Sequence, residues 1–435
     1  MKKRIITAAL ATIAAALLLV LILPKKSVNR LRYSESSNPK TEIFFACNSS
    51  NNEKKSLVFQ EMAEKFNAQC DDAVIKLNSL ADDDYFDRLK IDFASGNEPD
   101  LFVTWPGITV DRLVKNNKVA VLDELFDDDP EWYESFHKSN WRYVKLDGKI
   151  CGVPLMKSYA AFFVNTELLK KLGEKTPASY DELKALIPRL RKRGIVPFAT
   201  NVSNKGLLTY HYISAVLGGS FNSANVTPGG IPNEYYDSAM DYMKELYDLR
   251  AFPDDMFEMT DEECSYMFMS GKAAFTVQYS DFMESVYDAE MLDSVEIKPF
   301  PTIEGAISLD KAILYGAATD IVCVAAGSMK NPEKRSGVTA LLKYLTTKDA
   351  ALDFAKQIGS IPAINIVPAK ARNQNKIYDM NYVFLKSVNE YIDFPHYYID
   401  INVLTHLQDK FPAFLEGSAS KNEVWERAYR HAESN

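Results

Sequence analysis

The sequence predicts an α/β protein of more than one domain. Three observations carry this. The chain has 435 residues, long enough for two or three domains. After residue 40, apolar runs of strand length alternate with amphipathic runs of helix length. The first of these runs follow a β-α-β-α-β order, which right-handed crossovers turn into a parallel sheet.

The elements follow in order. Residues 41–46 form an apolar run and predict a strand, and residues 48–52 a polar loop. Residues 53–68 predict a helix with Val58, Met62 and Phe66 on one face. A strand over 74–77 follows, then a helix over 84–95 carrying Phe86, Leu89 and Phe93 and closed by Gly96. Residues 101–104 give the third strand. Open sheets of this kind bind ligands beyond the carboxyl ends of their strands. The loops over 48–52 and 105–107 therefore qualify as ligand-facing.

The stretch over 147–183, DGKICGVPLMKSYAAFFVNTELLKKLGEKTPASYDEL, organises the middle of the chain. Lys149 to Val153 is an apolar run stopped by Pro154, and the residue before a proline is held extended. A second run over 159–164 fits a buried strand. Thr166 is placed to cap a short helix ending at Gly173. Ser179 and Glu182 form a capping box that opens a helix with Leu183, Ile187 and Leu190 on one face, bent at Pro188. Beyond it, helices are expected over 210–217, 235–249 and 262–270, with strands over 196–200, 295–300 and 320–325. Asn331-Pro332 caps a helix with Val338, Leu341, Leu342 and Leu345 at helical spacing, and 348–359 continues beyond it.

These motifs, in this order, carry a resemblance. D-G-K-x-x-G-V-P, then F-x-V-N-x-x-L-x-x-x-x-G, then T-P-x-S-Y-D-E-L resembles the extracellular solute-binding proteins of ABC importers. The branch is the carbohydrate-binding one that includes maltose-binding protein. The S-G-x-x-P-D-L-F-x-x-W wording over 95–105 and G-K-A-A-F over 271–275 agree, with Phe275 in place of the usual Met. The resemblance covers nearly everything after Lys40. It implies a two-lobed, periplasmic-binding-protein-like fold, each lobe a mainly parallel sheet flanked by helices, with a hinge between. Residues 38–155 plus 297–346 would then form the first lobe, and 156–296 plus 347–435 the second. Crossings are expected at 154–157, 297–300 and 346–349. The implied partners are a carbohydrate and ABC permease subunits, and the implied state is a monomer that closes around its ligand. No cofactor is implied.

Composition excludes other classes. The net charge of −9 and the absence of a basic, aromatic-interleaved cluster argue against nucleic acid. The five cysteines are far apart, with no C-x-x-C for zinc or thiol redox work. A Cys47–Cys70 pair stays open, whereas Cys151 and Cys323 sit in apolar runs as buried thiols. No H-E-x-x-H, G-x-S-x-G or P-loop occurs, and the five histidines lack ligand-like spacing. Asp82-Asp83-Asp84 opens a helix, where acids suit the dipole, and Asp127-Asp128-Asp129 precedes Pro130 in a loop. Neither supplies a facing carboxyl pair. Catalysis is not expected.

The N-terminus reads as an anchor and tether over 1–37. Residues 5–23 are uncharged and, as a helix, would span roughly 28 Å, close to a bilayer core. No small-x-small site precedes Pro24, so retention is favoured over cleavage of a secretory signal. The lipobox cysteine usual in Gram-positive relatives is missing. The expected location is the outer face of the cytoplasmic membrane.

Candidate ligand contacts are aromatic faces and planar polar groups at strand ends and helix starts. Trp105 leads in the first lobe, with Ser49 and Asn51 after the first strand. Lys157, Ser158 and Tyr159 lie where the resemblance places a ligand contact just past the crossing. Tyr210 and His211 open a helix resembling the family's aromatic cleft segment. The family's G-x-W after G-K-A-A-M is replaced by Gln278-Tyr279-Ser280-Asp281, leaving Tyr279 or Asp281 at that position. Two readings of other classes compete: an extracellular glycoside-active enzyme, and a ligand-presenting subunit for a membrane sensor kinase.

Overall fold

The computed structural model describes residues 40–49, 54–80, 82–202, 207–219, 233–280, 282, 292–308, 312–365, 375–395, 399 and 401–434. The anchor expected over 5–23 and the tether lie outside them. Among the described residues no helix is long and apolar enough to cross a membrane. Residues Thr41–Asn435 form one compact unit.

The strands are β1 (Thr41–Asn48), β2 (Ala73–Leu80), β3 (Leu101–Thr104), β4 (Lys145–Leu146), β5 (Lys149–Ile150), β6 (Val153–Asn165), β7 (Val196–Phe198), β8 (Ala273–Tyr279), β9 (Val295–Lys298), β10 (Ala312–Val324), β11 (Ile361–Pro362) and β12 (Val388–Ile392). A single twisted sheet runs β2-β1-β3-β10-β6-β8-β7, with β9 and β11 on β6 and β12 on β10. β1 is parallel to β2 and to β3, as the β-α-β-α-β order requires. The helices Lys54–Gln69 and Asp82–Ser95 make the crossovers. On the far side β7 is parallel to β8. Between these flanks, β6 and β10 are antiparallel, thirteen residues each, and run from one lobe into the other.

Two large cores flank this pair. The first gathers Ile43, Phe59, Phe102, Trp141, Leu341 and Phe354. The second gathers Phe162, Leu183, Tyr210, Met243, Phe275 and Trp425. Within β6 the period of two is visible. Ala160, Phe162 and Val164 enter the second core, while Tyr159, Ala161 and Phe163 enter a smaller cluster with Phe268, Ile377 and Phe384. A strand covered on both faces reads as an unbroken apolar run, which is why 159–164 does.

Several expectations shift. Pro154 does not separate two strands: it lies inside β6, and Lys149–Ile150 belongs to the small β4–β5 hairpin. Proline cannot donate to a ladder and is tolerated at bulges. Opposite it, the β10 register is irregular on both sides of Asp320. The return from the second lobe is β10, not 297–300, because β9 pairs Ile297 with Phe163 and Phe300 lies in the second core. The third change of lobe is not at 346–349 either. The helix Lys348–Ile358 buries Ala350, Ala351, Phe354 and Ile358 in the first core, as do Ala363 and Ile364. The chain reaches the second lobe's side with Ile377. The cap of the helix Thr166–Lys171 is Asn165, whose Oδ1 accepts from Leu168 N–H at 2.9 Å. Ser179 caps as expected, but Glu182 accepts from the Ala178 N–H at 2.7 Å, one residue earlier than in a reciprocal box. Cys47 and Cys70 are not joined in a disulfide, and Cys47 Sγ lies 3.0 Å from Ser79 Oγ.

Candidate functional site

The first-lobe wall is built where β1 and β3 end, alongside β10. The last β3 residue, Thr104, pairs with Ile321 of β10, so Trp105, just past β3, and Asp320, within β10, stand at one level. Trp105 is 38% exposed, and its ring rests on Phe86 with centroids 4.6 Å apart. A core tryptophan is thereby ruled out at this position. The Asp320 side chain is 8% exposed, and its Oδ2 lies 2.7 Å from Lys55 Nζ. Lys55 sits in the first turn of the helix that follows β1 and also reaches Asn48 Oδ1 at 3.5 Å. Asn48, the last residue of β1, is buried. Ser49 is buried beside it, its N–H donating to the Leu80 carbonyl at 2.8 Å. Asn51 lies outside the described residues.

The crossing strand and the second lobe supply hydroxyls. Ser158 Oγ and Ser280 Oγ are 3.2 Å apart, one on β6 and one just past β8. The Ser280 N–H donates to the Tyr159 carbonyl at 2.7 Å, which fixes the end of β8 against β6. Tyr279, the last residue of β8, is half-buried with its ring edge-on to Phe394 at 5.4 Å. Asp281 lies outside the described residues.

Three of the expected contacts go elsewhere. Tyr159 is buried, its hydroxyl donating to Asn381 Oδ1 at 2.7 Å and its ring packed on Phe384. Tyr210 has no exposed surface. Its hydroxyl donates to the Tyr236 carbonyl at 3.1 Å, and its ring packs on Phe411 at 5.0 Å. Both tyrosines are core residues with a satisfied hydroxyl, the usual state of a buried tyrosine. His211 is half-buried with its ring on Tyr210 and Tyr236. Lys157 alternates onto the Tyr159 side of β6, away from Ser158. It is half-buried, and its ammonium has no salt bridge or hydrogen bond among the described residues. Burial pushes its ammonium down to about 8. The His137 imidazole is held below its ordinary range first by desolvation and then by the Lys157 charge.

Sequence reasoning missed Asp320, Lys55, Asn48 and Ser280. One signal was present for Asp320: it stands as the charged residue at the head of an apolar run over 320–325. The others depend on which strand ends meet. Among the described residues no group of three or more His, Cys, Asp and Glu side chains is arranged to hold a metal ion. A separate hollow of about 720 Å³ lies over the helix Glu234–Asp248, lined by Tyr235, Tyr242, Asp241 and Glu304 among others. Two of its acids are already paired, Asp241 with Lys421 at 2.7 Å and Glu245 with Lys184 at 3.3 Å.

The profile of the family described as bacterial extracellular solute-binding protein matches residues 50–352. An uncharacterized ABC transporter extracellular-binding protein of Pyrococcus horikoshii is 23% identical over 323 residues, covering 72% of this chain and 69% of that protein. A structure described as a chitin oligosaccharide binding protein superposes with a TM-score of 0.79 at 18% identity, over 91% of this chain and 99% of the other. A structure from work on xylan utilization by Caldanaerobius polysaccharolyticus superposes with a TM-score of 0.76 at 21% identity, over 90% and 99%. At these identities the two structures establish a shared two-lobed fold.

Proposed function

The chain belongs to the bacterial extracellular solute-binding proteins, and we propose that it captures a carbohydrate outside the cell and delivers it to an ABC permease. One observation carries the reading. Two separately packed cores are joined by β6 and β10, and an exposed tryptophan and a set of polar side chains gather where those strands leave the first lobe. Aromatic faces take the C–H patches of a sugar ring, and planar polar groups take its hydroxyls. Bending in the crossing strands closes one wall on the other, and the permease recognises the closed form. The two structural relatives named for chitin oligosaccharide and for xylan utilization share the architecture and support a saccharide ligand.

The protein acts by binding, without catalysis. Glycoside hydrolysis uses two facing carboxyls. The wall described here presents Asp320, already ion-paired with Lys55. Residues 5–23 remain on the mature protein and hold it, as a monomer, at the outer face of the membrane. N-terminal sequencing of the membrane fraction checks the anchor, since a mature start between Pro24 and Lys40 would show cleavage.

A thermal-shift screen of the full-length protein against mono- and oligosaccharides tests the function. Ligand at about a hundred times its dissociation constant adds about 2.7 kcal/mol of stability. A flat response to every sugar, with a shift for peptides or polyamines, would refute the carbohydrate assignment.

A further inference from the structure

We infer that Asp320 is the specificity-determining ligand contact of the first-lobe wall, accepting hydroxyls of a neutral saccharide, with Lys55 as its fixed counter-ion. The inference rests on the carbohydrate reading above and gives Asp320 a specific role within it.

The backbone points to Asp320 first. β10 pairs regularly with β3 over Ile321–Val324, but its pairing with β6 shifts register on both sides of Asp320. Bulges of this kind re-aim one side chain and are over-represented beside functional sites. The second observation is the state of the carboxylate. Oδ2 is held 2.7 Å from Lys55 Nζ, while Oδ1 has no hydrogen-bond partner among the described residues. A largely buried carboxylate oxygen without a donor is an open acceptor, and hydrogen bonds to a charged acceptor are the stronger ones.

Placement supplies the third. Asp320 lies within β10 next to the Ile321–Thr104 pair, and Trp105 follows β3 directly, so an acceptor and an exposed aromatic face stand at one level on adjacent strands. Across the β10–β6 ladder Asp320 stands opposite Met156, and Ser158, two residues on, returns to the face of Met156. That is about 6–7 Å along the strand. Ser158 is joined to Ser280 of the second lobe at 3.2 Å. A row of acceptors and hydroxyls thus runs along the crossing strands from one lobe to the other, as a ring with several hydroxyls requires.

Charge decides the ligand class. Lys55 already has its counter-ion in Asp320, so the pair offers no net charge to an acidic sugar, and a uronate carboxylate would meet the open oxygen of Asp320. Neutral saccharides are therefore favoured over uronates.

The test is calorimetric titration of the full-length protein in detergent with xylotriose, chitotriose, maltotriose, galactose and trigalacturonate. Wild type and the variants Asp320→Asn and Asp320→Ala are compared, with thermal melts to follow folding. The expected result is binding of a neutral sugar, at least tenfold weaker in Asp320→Asn. Asparagine keeps the shape, so this variant reads the contact even where the alanine variant fails to fold. Unchanged neutral-sugar affinity in a folded Asp320→Asn protein, or a wild-type preference for trigalacturonate, overturns the inference while leaving the carbohydrate reading intact. Silence of wild type and variants toward every saccharide overturns the carbohydrate reading itself, and the inference with it.

Discussion

The first lobe gathers an ion pair and one exposed ring, whereas where β6 enters the second lobe two buried hydroxyls meet. In the first, Asp320 of β10, Lys55 of the helix after β1 and Asn48 at the end of β1 converge, and Trp105, at the level of Asp320, is 38% exposed. In the second, Ser158 and Ser280 face each other, while Tyr210, Tyr212 and Tyr236 are wholly or almost wholly buried. Buried ring packing is common to both lobes, and the first core joins Phe45, Phe59 and Phe354 and packs Phe126 on Trp132. The second lobe is packed through a chain of rings, Phe162 on Phe275, Phe198 on Phe275, Tyr210 on Phe411. A supply of 23 tyrosines and 24 phenylalanines therefore says less about sugar stacking than about a core rich in ring contacts.

If that contrast holds, substitutions in the two lobes separate into stability and affinity. The largest effect is expected at Tyr210. Tyr210→Ala removes a fully buried ring and should lower the unfolding free energy by about 3–5 kcal/mol in urea titration. A loss as small as that at an exposed position would break the contrast.

Next is Lys157, at the junction of the lobes. Its folded-state pKa is about 8 against an ordinary 10.5, so between these values the unfolded chain binds more protons. The penalty for burying the charge is fully present below pH 8 and is relieved as the pH rises toward 10.5. Stability of the wild type should thus rise through this window, by about 2 kcal/mol after allowance for the half-exposed side chain. Lys157→Met should be more stable than wild type at pH 7 and lack that contribution. Equal pH profiles for the two proteins between 8 and 10 would show that Lys157 is solvated in the folded state.

Trp105→Ala should weaken ligand binding by about 1 kcal/mol or more and leave the melting temperature nearly unchanged. A large loss of stability instead would make Trp105 a packing residue. The smallest change expected is in Tyr159→Phe. The variant loses the hydroxyl that donates to Asn381 Oδ1 and should cost about 1 kcal/mol of stability without altering affinity. An affinity change there would bring Tyr159 back to the cleft and blur the distinction between the lobes.

Much of the fold was legible along the chain. The parallel β1–β2–β3 unit follows from apolar runs separated by amphipathic ones with Val58, Met62 and Phe66 at helical spacing, and all three are buried. The helix starts at Ser179 and Asn331 were legible because a cap is a local bargain between one side chain and the next few N–H groups. The crossing strands were not. The run over 295–300 and the end of β10 are alike in periodicity, and neither says which lobe's sheet will accept its edge. The exposure of Trp105 was legible because its position just after a parallel strand sets its level in the sheet, whereas the burial of Tyr210 was not, because a buried and an exposed helix start look alike.

By itself, then, the sequence determined the α/β class, most helix and strand positions, the caps at Ser179 and Asn331 and the family, because these depend on side chains within a few residues or on motif order. Tertiary structure alone decided three things. It joined Val153 to Asn165 into one strand across Pro154, because the missing N–H falls where β10 is itself out of register. It sent Tyr159 and Tyr210 inward, because Asn381 and the Tyr236 carbonyl stand ready to receive their hydroxyls. And it brought Lys55 to Asp320 across 265 positions of chain (320 less 55), because the helix start after β1 and the interior of β10 meet only in the folded sheet.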